Sequence, residues 1–131
     1  MIRLIFVAGA LIAASLPASA RGHARPSGPS LMKFSLEARL EQSCNGRAIT
    51  EIGKVEKGYR PDEVVAYAFA DNKISGSEVT APGAAIRSHG EWYHLSYRCH
   101  ATSDGLGVEN FSYQLGPMVP RKDWDDHYLV P

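Results

Sequence analysis

An excess of either charge is missing from this chain. Its 14 Lys and Arg balance 14 Asp and Glu. That excludes the dense basic footprint of a nucleic-acid binder and the acidic surplus of a cation buffer. Long hydrophobic runs are missing after residue 16, and a membrane-spanning helix needs roughly 20 consecutive apolar residues. Cysteine is scarce: only Cys44 and Cys99 occur, too few for a cysteine-built zinc site and too far apart for a Cys-x-x-Cys redox motif. Sequence signatures of catalysis are missing too. No Gly-x-Ser-x-Gly elbow, phosphate-binding glycine loop, dinucleotide fingerprint or His-Glu-x-x-His helix is present. At 131 residues there is no room for a two-lobed enzyme.

What is present begins with an export signal. Arg3 supplies a positive start, Leu4 to Leu16 an apolar run of 13 residues, and Ala18 and Ala20 the small side chains a signal peptidase accepts. Residues 1–20 are expected to be cut off, with a cut after Ala24 as the alternative, leaving a soluble mature chain without an integral membrane span. Residues 21–33 are rich in Gly, Pro and Ser and read as a flexible linker carrying Arg21, His23 and Arg25. Residues 34–131 remain as one domain. In an exported chain the two cysteines are expected to pair, and the Cys44–Cys99 bridge would close a long loop and stabilise a small core.

Periodicity gives the fold class. Ser35 is a plausible N-cap, and Leu36, Leu40 and Cys44 recur every fourth residue. Asn45-Gly46 interrupts the pattern and Ala48, Ile49 and Ile52 resume it, which predicts two short helices or one broken helix ending at Gly53 or Gly58. From Glu63 the period becomes two: Val65, Tyr67 and Phe69 alternate with Val64, Ala66 and Ala68. Pro82-Gly83 reads as a loop before a strand over 84–88. The strongest strand runs from Trp92 to Ala101, with Tyr93, Leu95, Tyr97 and Cys99 on one face and Trp92, His94, Ser96, Arg98 and His100 on the other. Val108 to Leu115 follows, and residues 120–128 suggest a short terminal helix. The expectation is an α+β domain: an N-terminal helix or helix pair on one face of an antiparallel sheet of four to five strands, with the other face partly open to water.

Candidate chemistry is sparse. His94 and His100 share a strand face but stand roughly 20 Å apart along it, so a shared metal ion would need a bulge or a third ligand such as His89. Asp123, Asp125, Asp126 and His127 could hold a divalent cation or offer a general base, but they lack calcium-loop spacing, and the three carboxylates read more readily as complements to the positive end of a helix dipole. Ser88 and His89 are neighbours on a strand and face opposite ways. Asn110-Phe111-Ser112 fits a glycosylation sequon but lies in a predicted strand. No metal and no cofactor is expected. Trp92 and Arg98 on the open face could stack a sugar ring or a peptide.

A combined string of segments resembles one family. Leu36 to Cys44, Tyr59 to Asp71, Ala81 to Arg87, Glu91 to Cys99 and Phe111 to Gly116, with Pro120 and Trp124 beyond, are similar to the domain of unknown function 930 family. The likeness spans about residues 34–128. It implies an exported alphaproteobacterial protein, and it brings no catalytic residue with it. Asn45-Gly46 after the cysteine is an unusual continuation of the pattern.

These readings converge on a small, disulfide-stabilised periplasmic or secreted module that binds or braces rather than catalyses. Its contact surface would be Trp92, His94 and Arg98 with the Pro82-Gly83 loop, and its partner an envelope protein or glycan. The rival is a small envelope hydrolase acting on cell-wall or carbohydrate material through His94 or the Asp123–His127 cluster. A secreted inhibitor or effector is the third possibility.

Overall fold

A computed structural model describes residues 28–131. The export signal and its cut, and Arg21, His23 and Arg25, lie outside the described residues. The first described element is one helical turn, α1 (Gly28–Leu31), within the stretch expected to be linker, and Leu31 is buried.

The helix is single and unbroken: α2 spans Leu36–Val55. The Ser35 side chain accepts the Ala38 N–H at 3.3 Å, Glu37 sits in the first turn and Lys54 in the last. The expected break at Asn45-Gly46 is absent for a tertiary reason. The Asn45 side chain is buried and accepts the Tyr97 hydroxyl at 2.8 Å, so it does not compete for its own backbone. Leu40, Cys44, Ala48 and Ile52 bury one continuous stripe around it, and that burial outweighs the penalty of about 1 kcal/mol for a mid-helix glycine. A Cβ at Gly46 would meet nothing within 4 Å. Gly46→Ala is therefore expected to raise the unfolding free energy by about 0.5–1 kcal/mol, seen as a higher midpoint in urea with an unchanged slope.

Five antiparallel strands follow: β1 (Pro61–Val65), β2 (Lys73–Ser75), β3 (Glu78–Ser88), β4 (Glu91–Ala101) and β5 (Val108–Met118). The order is β1-β3-β4-β5, with β2 paired to the first residues of β3 and β1 to the last. The first strand is shorter than the alternation predicts. Beyond Val65 the chain turns, and Ala66 and Ala68 are buried against different clusters. Pro82-Gly83 is not a loop between strands but a bulge inside β3, where the register shifts between Ala81 and Ala84. The Phe69 N–H donates to the Gly83 carbonyl at 2.7 Å, and a Cβ on Gly83 would collide with the Ala70 backbone nitrogen. Glycine here admits the close approach of the β1–β2 connection.

His89 and Gly90 both take positive φ and form a two-residue hairpin joining β3 to β4. The terminal helix is replaced by two 3-10 turns, Arg121–Asp123 and Asp125–His127.

One core lies between α2 and the sheet: Leu40, Cys44, Ala48 and Ile52 against Val79, Ile86, Leu95, Tyr97 and Cys99. The Cys44–Cys99 disulfide crosses that layer with both residues fully buried, as the alternation of helix and strand predicts. A second cluster lies on the far face: Ala68, Ala85, Trp92, Val119, Trp124 and Leu129. The C-terminal segment thus covers one end of the face that the sequence suggested was open, and leaves the other end bare.

Candidate functional site

The uncovered part of the sheet is built by register. Lys73 of β2 lies opposite Thr80 of β3, Thr80 opposite Arg98 of β4, and Arg98 opposite Ser112 of β5. The next line is Ser75, Glu78, His100 and Asn110. On the other side Ser96 stands opposite Gln114. Directly opposed residues of an antiparallel ladder project to the same face. Their sequence neighbours Ile74, Val79, Cys99, Phe111 and Tyr113 belong to the core under α2, so these polar residues face away from it. A hollow of about 420 Å³ is lined by Glu78, Arg98, His100, Asn110, Phe111 and Ser112. A second, of about 250 Å³, includes Phe69, Pro82, His94, Ser96 and Gln114.

The three contact residues expected from the sequence part company. Arg98 is exposed on this face. His94 is half-buried at its covered end. Trp92 is fully buried, and its indole N–H donates to the Val130 carbonyl at 2.8 Å. Trp92 is therefore no part of an exposed contact surface; it is the floor on which the C-terminal segment sits. Alternation put it on the correct face, but alternation is blind to a distant segment folding back over that face. The same segment is held by Arg87, which pairs with Asp62 at 2.9 Å and Glu63 at 2.9 Å and donates to the carbonyls of Val130 and Pro131.

His94 and His127 come close together without meeting. The Phe69 ring lies between them, its centroid 4.3 Å from the His94 ring and 4.1 Å from the His127 ring. His127 Nδ1 is 2.9 Å from the Ala68 carbonyl, so its ring is engaged with backbone. Asp125 and Asp126 are exposed, and Asp123 is half-buried. Among the described residues no group of three or more His, Cys, Asp or Glu side chains converges as a metal site would require. His89 occupies the hairpin turn, away from both other histidines of its stretch, and His100, exposed on the inner strand β4, lies 3.6 Å from Glu109. Ser88 is buried and accepts the Arg60 N–H at 2.8 Å, a structural duty. Asn110 is exposed within β5.

Other polar groups are absorbed by structure. Burial pushes the Tyr97 phenol well above its ordinary range, so it stays a neutral donor to Asn45. The Thr102 hydroxyl and the Leu106 N–H hold Asp104 below the usual carboxylate range in the β4–β5 turn. A groove of about 550 Å³ runs beside the middle of α2, past Ser43, Gly46, Arg47 and Val108. Arg47 spends its guanidinium on the Val108 carbonyl at 3.0 Å, and Ser43 donates to the Gly105 carbonyl. Lys73, Thr80 and Ser112, by contrast, gain their place beside Arg98 only through strand pairing. A short, exposed β2 gives no periodic signal that would reveal its register.

A family model, Domain of Unknown Function (DUF930), matches residues 31–129. The chain belongs to the DUF930 family. The match starts at the buried Leu31, the last residue of α1, and ends at the buried Leu129, so the DUF930 unit takes in α2, the sheet and the C-terminal segment over Trp92 as far as Leu129. No curated protein and no solved structure matches the chain. Within the described residues, no helix is long and apolar enough to cross a membrane.

Proposed function

We infer that this DUF930 domain is an exported, non-catalytic binding module of the cell envelope, and that its contact surface is the uncovered half of the sheet around His94, Ser96, Arg98 and Gln114. The uncovered half carries the reading: it is a broad polar surface whose side chains are left over from the core and from the C-terminal clasp. The scaffold suits such a role, because a buried disulfide ties the sheet to α2 and holds the surface rigid. The buried bridge also supports export, since disulfides persist in oxidising compartments, and the apolar run at residues 4–16 supplies the route. The enzymatic alternative loses support from Phe69, whose ring keeps His94 and His127 apart, and from the engagement of His127 with the Ala68 carbonyl.

Two measurements test the reading. The protein recovered from a periplasmic fraction should begin at Arg21 or Arg25 on N-terminal sequencing; an intact Met1 in the cytoplasm overturns export. A panel of purified envelope glycans should retain the protein, and Ser96→Trp, which places a large ring in the middle of the face, should abolish retention without changing the melting temperature. Failure of every glycan to retain the protein, or equal retention of Ser96→Trp, overturns the assigned surface.

A further inference from the structure

We propose that the open face recognises an acidic polysaccharide, whose carboxylates are held at the row Lys73–Thr80–Arg98–Ser112. This names the ligand class for the binding surface above and rests on that reading. The row is one residue from each of four strands, fixed by the pairings Lys73 with Thr80, Thr80 with Arg98, and Arg98 with Ser112. Strands lie about 4.8 Å apart, so Lys73 and Arg98 rise from backbone positions roughly 10 Å apart, with the Thr80 hydroxyl between them. The line thus presents a cation, a hydroxyl, a second cation and a second hydroxyl.

Arg87 is paired with Asp62 and Glu63, Arg121 lies 3.8 Å from Glu91, and His100 lies 3.6 Å from Glu109. Among the described residues, Lys73 and Arg98 have no carboxylate within ion-pair distance and make no side-chain hydrogen bond. Other described cations, Lys54, Lys57 and Lys122 among them, are also unpaired, and this row differs in setting two such cations on one sheet face beside hydroxyls. Glu78 stands in the neighbouring line beside His100, and its charge bounds the cationic row on one side. With a net charge of zero over the chain, attraction of an anion here is local and not a property of the whole surface. A guanidinium accepts a carboxylate through two parallel hydrogen bonds, and the flanking hydroxyls can donate to it or accept from sugar hydroxyls.

Hydroxyls and amides favour a sugar polymer over a protein partner. Protein interfaces centre on apolar and aromatic anchors. The exposed large apolar residues are Met32, Phe34, Leu36, Val55, Tyr67, Met118, Tyr128 and Val130, and none belongs to these rows. The rows instead supply Ser75, Thr80, Ser96, Asn110, Ser112 and Gln114, a set that matches a hydroxylated, carboxylate-bearing chain.

The test uses polygalacturonate as the acidic probe and its methyl ester as the neutral counterpart, with binding to the purified protein followed by calorimetry. Wild type should bind the acid form, more weakly as salt rises. The Lys73→Ala/Arg98→Ala variant should lose roughly tenfold or more in affinity with an unchanged melting temperature, and Arg98→Lys should recover only part of the loss. Equal affinity for acid and ester, or an unaltered double variant, overturns the acidic assignment. If the ester binds and Ser96→Trp removes that binding, the face remains the binding surface and only the ligand class is wrong. Absence of binding to both polymers overturns the acidic assignment, and the glycan panel then decides the surface separately.

Discussion

Trp92→Ala is expected to lower the unfolding free energy by about 3–5 kcal/mol and the melting temperature by roughly 15 °C or more for a domain of this size. The indole fills the second cluster with no exposed surface, against Ala85, Val119, Trp124 and Leu129. Truncation leaves a cavity there and takes from the Val130 carbonyl its shorter donor, leaving only the Arg87 guanidinium at 3.5 Å. The edge of the C-terminal segment should open first, because Trp92 is its floor, so backbone amides of Val119 and Leu129 should lose protection in hydrogen exchange before those of β4. Trp92→Phe restores most of the volume but not the N–H, and should recover the larger part of the loss. A drop of only a few degrees for the alanine variant would contradict the burial. The variant is thus a probe of the fold, and its effect on ligand retention carries no information about the open face.

Removing the disulfide is expected to act on a similar scale through the unfolded chain. Cys44 and Cys99 are 55 residues apart, and a loop of that length gives about 4 kcal/mol in the chain-entropy account. Urea unfolding of Cys44→Ala/Cys99→Ala should therefore show a markedly lower midpoint. The slope should steepen, because an uncrosslinked unfolded chain exposes more surface. Reduced wild type should fall on the same curve as the double variant. The native contacts of α2 with β3 and β4 should survive in the fraction that stays folded, since Leu40, Ala48 and Ile52 still bury their stripe. Identical midpoints for oxidised and reduced protein would show that the core alone fixes the helix on the sheet.

Much of the architecture is written in local pattern. The four-residue spacing of Leu36, Leu40 and Cys44, with Ser35 before it, specifies where the helix begins and the side on which Leu40 and Cys44 are buried, although Leu36 itself, in the first turn, is exposed. The alternation through 92–101 separates Tyr93, Leu95, Tyr97 and Cys99 from Trp92, His94 and Arg98, and the two cysteines fall on the two apolar faces that meet. These features repeat within one element, so the sequence alone determines them: α+β, helix on sheet, one bridge, no spanning helix among the described residues.

Three further features depend on partners distant in sequence. Asn45-Gly46 carries a turn preference, yet the helix runs through it because Tyr97, 52 residues away, takes the Asn45 side chain. Pro82-Gly83 has the composition of a loop, yet it is a bulge because the 69–70 backbone docks against it. Trp92 sits on a face that alternation leaves open, and only the return of residues 119–130 buries it. The row Lys73–Thr80–Arg98–Ser112 has the same origin, for strand register is set by which apolar faces must be covered together. Sequence determined the faces of each element; only tertiary packing decided which were covered, because burial is a property of two surfaces in contact and each local pattern describes only one.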